Sequence, residues 1–259
     1  MESLVKLDFS HLALGLGMIA IAVGLSSWQK LGLEGQLAIA ALRTMIQLLG
    51  VGYILAFVFA GNNPWVVLAI LIVMVTTAAI VTRNRISPKI PRLLPIIWAA
   101  ICFSMALTLT YVNLLIIQPE RWYEPQYLIP LAGIVLGNAM NGGAIAGERL
   151  FSSINSSQLE IETHLSLGAT PQQAVAQYRR DAVRAGLIPT LNVMMVAGIV
   201  TLPGSITGQL LSGVDPLQAA AYQILIMFMV AFTNTVSALL VTHGLCQQFF
   251  NQNDQLRKF

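Results

Sequence analysis

Long apolar stretches separated by short polar connections dominate this sequence. A helix needs about 20 mostly apolar residues to cross the hydrocarbon core of a bilayer, and seven stretches meet that requirement. Asn63-Pro64 and Asp215-Pro216 open two of them, with a side-chain acceptor at the helix cap and proline at the first helical position. The pattern predicts an all-α, polytopic membrane protein with about seven transmembrane helices in a single domain over residues 1–259. The predicted spans are His11–Trp28, Leu37–Phe59, Pro64–Thr82, Pro95–Ile117, Leu128–Gly147, Leu187–Leu211 and Leu217–His243.

The one long polar interruption lies between the fifth and sixth spans, over residues 148–186. Apolar residues at helical spacing predict a first helix, which ends near Gly168. Thr170, Pro171 and Gln173 then form the capping-box pattern that starts a second helix. Two short amphipathic helices that meet at a glycine predict a helical hairpin. Such a hairpin is either a docking element for another protein or a surface structure that only covers the bundle, and the pattern leaves both open.

Composition agrees with this pattern. Hydrophobic residues make up 56% of the 259 residues and charged residues 10%, whereas a soluble domain carries about 25% charge. The net charge is only +3 and the chain has two cysteines. These values exclude a disordered chain, a nucleic-acid-binding protein and a disulfide scaffold.

The basic residues are distributed unevenly between the two sides of the membrane. Eleven of the 14 Lys and Arg residues lie in the loops after the first, third and fifth spans and in the C-terminal tail. Lys6 and Arg121 lie on the opposite side, and Arg43 lies inside the second span. Because cytosolic loops carry the excess of Lys and Arg, we expect the N-terminus outside, the C-terminus in the cytosol, and the hairpin of residues 148–186 in the cytosol.

The acidic residues argue against other classes of membrane protein. All 11 Asp and Glu residues lie at or beyond the ends of the predicted spans. Proton coupling usually needs an ionisable group inside the membrane, so a proton-coupled carrier is disfavoured, whereas sodium coupling through backbone carbonyls stays open. The motifs of intramembrane and serine hydrolases, His-Glu-x-x-His and Gly-x-Ser-x-Gly, do not occur. The phosphate-binding Walker motif is absent as well, so ATP would have to be hydrolysed by a separate subunit.

Arg43 and Gln47 are one helical turn apart in the second span and share a face. A charge at this depth is costly unless it snorkels to the interface or finds partners. The two residues therefore fit a gate or a contact between subunits, and equally a snorkelling arginine.

A second polar group lies in the fifth span, where Asn138, Met140 and Asn141 are surrounded by glycines. Their oxygen and sulfur atoms could line a path for a partly dehydrated metal ion, or the asparagines could hydrogen-bond neighbouring helices. In the sixth span, Pro203-Gly204 predicts a kink and suggests a hinge for alternating access. No set of residues in the sequence identifies a metal-coordination site.

Four motifs give the chain a specific resemblance. The stretches Arg43–Leu48, Ile134–Met140, Leu165–Pro171 and Leu202–Gly204, together with the length and the position of the hairpin, look like the FetB-type permease family. This resemblance implies the membrane half of a bacterial ABC exporter linked to iron export. Plant members, implicated in aluminium tolerance, have been tied to nucleotide-sugar transport.

The resemblance also implies partners. The hairpin is similar to the coupling loop of bacterial ABC importers, which inserts into a groove on the ATP-binding subunit. By that similarity, the coupling residues are Glu162, Leu165, Leu167, Gly168 and Pro171. The implied complex is a homodimer of permeases with separate ATPase subunits that bind ATP and Mg²⁺, in the bacterial plasma (inner) membrane. The expected cargo is a metal ion, with iron first, and the alternatives are an organic solute such as a nucleotide sugar or, less favoured, a secondary carrier.

Overall fold

A computed structural model describes residues 9–61, 63–251 and 255–257, and within them the regular structure is helical. Five of its helices are long and apolar enough to cross a membrane, and α1 contains a shorter apolar segment, Leu14–Trp28. The predicted class, an all-α polytopic membrane protein, is confirmed. The orientation of the termini stays a prediction. The helices are α1 (Phe9–Trp28), α2 (Glu34–Gly61), α3 (Pro64–Ile86), α4 (Leu93–Val112), α5 (Pro125–Ser156), α6 (Gln158–Ser166), α7 (Pro171–Ala174), α8 (Ala176–Val196), α9 (Gly204–Leu211) and α10 (Pro216–Phe249), with a π-helical turn at Asn113–Ile117.

The chain divides into two compact units, Met1–Asn63 and Pro64–Phe259. In the first unit, α1 and α2 pack as a helical hairpin. Ser26 fixes their connection, because its hydroxyl donates to Glu34 Oε1 at 3.1 Å and accepts the backbone N–H of Leu33 at 3.3 Å. Whether the two units form the predicted single domain stays a prediction.

Helices α5 and α10 form the centre of the second unit. Helix α10 has 34 residues and is therefore about 51 Å long, well beyond the roughly 30 Å of a bilayer core. Helix α5, with 32 residues, is nearly as long. Both contact α4 and α8, and α3 packs on α5. Their ends therefore extend outside the hydrocarbon region, and α5 continues directly into the hairpin.

Small residues bring α5, α8 and α10 close together. A Cβ built on Gly186 of α8 would lie 2.6 Å from the carbonyl oxygen of Gly142 on α5 and 2.9 Å from the Cβ of Ala146. A Cβ on Gly142 would overlap the side chain of Asn234 on α10. Lipid is as apolar as the helices themselves, so close van der Waals packing of this kind supplies much of the association energy in a membrane.

Hydrogen bonds add to this packing. Ser237 Oγ of α10 donates to the carbonyl of Ala139 on α5 at 3.1 Å. The hydroxyls of Thr108 on α4 and Thr233 on α10 lie 2.6 Å apart. Interhelical bonds of this type contribute roughly 0.6–2 kcal/mol each in a membrane. They fix the rotation of α10 against its neighbours.

The prediction of the sixth span, Leu187–Leu211, as one helix with a kink at Pro203-Gly204 is wrong. Helix α8 begins earlier, inside the predicted hairpin, and ends at Val196; residues 197–203 form a turn and α9 follows. Gly198 takes a positive φ of 82° in this turn, which side chains other than glycine rarely adopt. Pro203 occupies the N-cap of α9, so the predicted kink is a complete break between two helices.

The helical hairpin is present with shifted boundaries. Helix α5 runs on to Ser156, a short turn leads into α6, and the break at Gly168 has a φ of 91°. The predicted capping box is confirmed: the Thr170 N–H donates to Gln173 Oε1 at 2.9 Å, and the Gln173 N–H donates to Thr170 Oγ1 at 3.3 Å.

Because α5 and α8 approach so closely, adding one methyl group at Gly186 should destabilise the protein. Gly186→Ala should lower the free energy of unfolding by about 1–3 kcal/mol, the usual cost of overpacking, because its Cβ meets backbone. Thermal unfolding of the detergent-solubilised protein measures this as a lower Tm. The matched control is Gly137→Ala in α5, where a Cβ meets no atom within 4 Å. Equal Tm values for the two variants would contradict the packing described here.

Candidate functional site

A cavity of about 350 Å³ lies within the second unit between α5, α8, α9 and α10. Its volume falls within the usual range of small-molecule sites, roughly 300–1,000 Å³. Apolar side chains such as Ile226 and Val230 form the middle of the wall that α10 contributes. The polar side chains of the lining are uncharged: Asn138, Asn141, Thr190, Ser205, Gln223 and Asn234.

Helix α10 supplies the two most deeply buried of these side chains. Gln223 and Asn234 are 7% and 2% exposed. They are eleven residues apart, which is three helical turns, so they lie on one face about 16 Å apart along the helix axis. The cavity therefore has an amide group near each end and an apolar stretch between them.

Asn234 connects α10 to α8. Its Nδ2 donates to Thr190 Oγ1 at 2.7 Å and to the carbonyl of Gly186 at 3.3 Å. Its Oδ1 is buried and has no hydrogen-bond partner among the described residues. This oxygen lies against Gly142 of α5, where an added Cβ would overlap it, so Asn234 is packed between α5 and α8.

Gln223 shows the opposite pattern to Asn234, because its oxygen is bonded and its nitrogen is not. Its Oε1 accepts a hydrogen bond from the Ser205 hydroxyl of α9, and its buried Nε2 has no partner among the described residues. A buried polar group without a partner costs about 1–3 kcal/mol. Each of the two amides therefore has one atom bonded to a neighbouring helix and one atom buried without a partner among the described residues.

The two predicted asparagines of α5 also line the cavity. Asn138 Nδ2 donates to the carbonyl of Ile134 within its own helix at 2.8 Å. Asn141 Oδ1 accepts from Arg85 Nη1 of α3 at 3.1 Å. This bond joins α3 to α5 through a cation that is not part of the cavity lining and that the sequence pattern did not connect with the fifth span.

The described residues contain no group of three or more His, Cys, Asp or Glu side chains that could hold a metal ion. The polar side chains that line the cavity carry amide and hydroxyl oxygens, which are the atoms that could bind a cation there. Neutral oxygen ligands suit a hard or partly hydrated ion. The same donors and acceptors suit an uncharged polar solute equally well.

The structure brings together part of the predicted pathway. Asn138, Asn141, Pro203 and Gly204 all line the cavity, whereas Met140 is outside its lining. Arg43 and Gln47 lie on α2 in the first unit, and both are exposed there. The sequence interpretation missed Thr190, Ser205, Gln223, Asn234 and Arg85; the eleven-residue spacing of Gln223 and Asn234 in an apolar stretch was the signal that pointed to two of them.

The predicted coupling residues lie in and beside the turn between α6 and α7. Leu167 is 82% exposed. Glu162 and Gly168 are exposed as well, Leu165 is half-buried, and Pro171 is buried as the first residue of α7. The tip of the hairpin therefore presents a large apolar side chain that nothing in the chain covers among the described residues.

A hydrogen bond holds the hairpin closed. Tyr178 Oη of α8 donates to Glu160 Oε2 of α6 at 2.7 Å. Burial raises the pKa of Tyr178, and the bond and charge of Glu160 raise it further, while a bond with Ser157 acts in the opposite direction. The phenol therefore stays protonated, and able to donate, at neutral pH.

Comparisons with known proteins agree over nearly the whole chain. The model of the family described as "Uncharacterised protein family (UPF0014)" matches residues 9–250. The chain is 53% identical over 255 residues to the UPF0014 membrane protein slr1647 of Synechocystis, with 98% of each chain covered.

Two further relatives carry more descriptive names. The chain is 34% identical over 245 residues to the "Probable iron export permease protein FetB" of Escherichia coli, covering 95% of this chain and 93% of that one. It is also 34% identical over 246 residues to the protein ALUMINUM SENSITIVE 3 of Arabidopsis thaliana, covering 95% and 88%. No solved structure matches the chain significantly.

Proposed function

The chain belongs to the UPF0014 family of membrane proteins, as its resemblance to FetB-type permeases predicted, and from this premise we propose that it is the permease subunit of an ABC transporter. In this proposal the transporter exports a metal ion, with iron as the first substrate. It resides in the bacterial plasma membrane and uses ATP hydrolysed by a separate subunit. A relative named as an iron export permease supports a transporter in preference to an enzyme.

The observation that carries the proposal is the cavity between α5, α8, α9 and α10, with its uncharged polar lining. A permease needs a polar site among helices that can change their arrangement. The break at residues 197–203 separates α8 from α9 beside this cavity, and Pro203 and Gly204 form part of its wall. We propose that this break is the hinge through which access alternates between the two sides of the membrane.

The hairpin is the proposed site of energy coupling. Leu167 is an exposed anchor, and the glycine turn at Gly168 presents it. Large apolar side chains that fill a pocket on a partner dominate binding energy at interfaces. The proposed partner is the ABC ATP-binding subunit, which supplies the site for ATP and Mg²⁺. The proposed assembly is a permease homodimer in which Arg43 and Gln47 act as a gate or as subunit contacts.

A second candidate function is the export of an organic solute, such as a nucleotide sugar, by the same ABC machinery. One observation favours it: the cavity lining has an amide side chain near each end of an apolar stretch. Hydroxyl-rich solutes use this combination of hydrogen bonds and apolar contact. The substrate panel below separates the two candidates.

The first prediction concerns the cavity. In a reconstituted complex of this chain and its ATPase, Fe²⁺ should stimulate ATP hydrolysis more than other divalent metals or nucleotide sugars. Gln223→Leu and Asn138→Ala should abolish most of that stimulation, because each removes a polar group that lines the cavity.

The matched control for this prediction is Gln218→Leu, an exposed glutamine on the same helix, which should behave as wild type. Stimulation by a nucleotide sugar alone would move the assignment to the organic solute. Wild-type stimulation in Gln223→Leu, with normal folding, would show that the cavity is not the substrate site.

The second prediction concerns coupling. Gly168→Val should weaken binding of the ATPase subunit by at least about tenfold, as expected for loss of an interface hot spot, because the left-handed backbone at φ 91° does not tolerate a β-branched residue. Co-purification and titration of the ATPase measure this effect.

Gly213→Val provides the strain control. Gly213 also has a positive φ, 85°, and open space around it, and we expect it on the opposite side of the membrane. This variant should bind the ATPase normally. If Gly168→Val also binds normally, or if both variants lose binding alike, the hairpin tip is not the docking element.

A further inference from the structure

A second cavity, of about 670 Å³, lies between the first half of α8 and the last turns of α10. It is separate from the amide-lined cavity and no part of the proposed transport path uses it. Its lining is basic: Arg179, Arg180 and Arg184 from α8 and His243 from α10. The described lining contains no carboxylate.

The arginines of this cavity are poorly neutralised by the protein itself. Arg184 has an ion pair with Asp181, but the distance is 3.9 Å and the two side chains are 78% and 47% exposed, so the pair is weak. Arg180 has no ion pair among the described residues. Arg180 and Arg184 are four residues apart and share a face of α8, so their charges repel each other unless an anion lies between them.

Arg179 is held against the wall of the same cavity. Its Nη2 donates to the carbonyl of Leu239 on α10 at 3.4 Å. Its Nε is buried and has no hydrogen-bond partner among the described residues. Arg179 also lies in the first turn of α8, where the helix dipole adds positive partial charge. Burial, charge and an unsatisfied donor are therefore combined at one position.

We propose that this basic cavity binds a phosphate group. Arginine pairs with phosphate through planar, bidentate, charge-assisted hydrogen bonds. The lining residues Leu239 and His243 lie in the last turns of α10, a helix that spans the membrane and extends past its surface. The group is either the headgroup phosphate of an anionic lipid or the phosphate of a soluble compound.

Bound phosphate would connect the hairpin to the membrane bundle. Pro171 and Gln172 of α7 line the cavity beside the α8 arginines, and His243 and Gln247 face them from α10. An anion that bridges these groups would hold α7 and α8 against α10. The inference rests on this cavity alone and is independent of which solute the protein exports.

The experiment measures binding to the full-length protein in nanodiscs. In one arm, discs of phosphatidylcholine with and without phosphatidylglycerol are compared by native mass spectrometry and by Tm. In the other arm, pyrophosphate is titrated into phosphatidylcholine discs. Retained phosphatidylglycerol with a raised Tm identifies a lipid headgroup; saturable binding of pyrophosphate identifies a soluble phosphate. Either result supports the proposal.

Variants locate the site. The double variant Arg180→Gln/Arg184→Gln changes exposed residues and should fold, and it should weaken the binding about tenfold or more. Arg179→Lys keeps the charge but loses the planar donors, and should weaken binding as well. The control is Arg149→Gln, an exposed arginine outside the cavity. No binding of either probe, or equal loss in Arg149→Gln and the double variant, would overturn the proposal.

Discussion

The close approach of α5, α8 and α10 is the constraint on which the rest of the second unit depends. In a bilayer, apolar helices gain little from leaving lipid for one another, so contact has to come from small residues and buried hydrogen bonds. Gly142 and Gly186 supply the small residues, and Asn234 supplies the bonds to α8. A side chain at either glycine would push the helices apart and break the Asn234 bonds with them.

The same packing leaves a cavity where the small residues end. Asn234 satisfies its donors across the contact but not its acceptor oxygen, and Gln223 has the opposite deficit three turns away. In the proposed function, these amides line the site where the exported solute binds.

Sequence patterns predicted those features that local physics decides. Apolar length located the long helices, and Thr170 with Gln173 marked the start of α7 because a capping box is a local structure. The prediction of the sixth span failed because a run of apolar residues does not reveal the positive φ at Gly198 or the N-cap at Pro203. The spacing of Gln223 and Asn234 places them on one face of α10, but their partners lie on α8 and α9, and the sequence does not identify those partners. Arg85 was missed for the same reason: its bond to Asn141 joins residues 56 positions apart.

A direct transport measurement tests the proposal that this chain forms the path of an ATP-driven metal exporter. Inside-out membrane vesicles that contain the permease and its ATPase are incubated with radiolabelled Fe²⁺ in the external buffer, with and without ATP. The account predicts ATP-dependent accumulation of iron inside the vesicles, which a polar-to-apolar change at Gln223 abolishes while the complex stays assembled. Accumulation that needs no ATP, or that is unchanged when Gln223 is replaced, would contradict it.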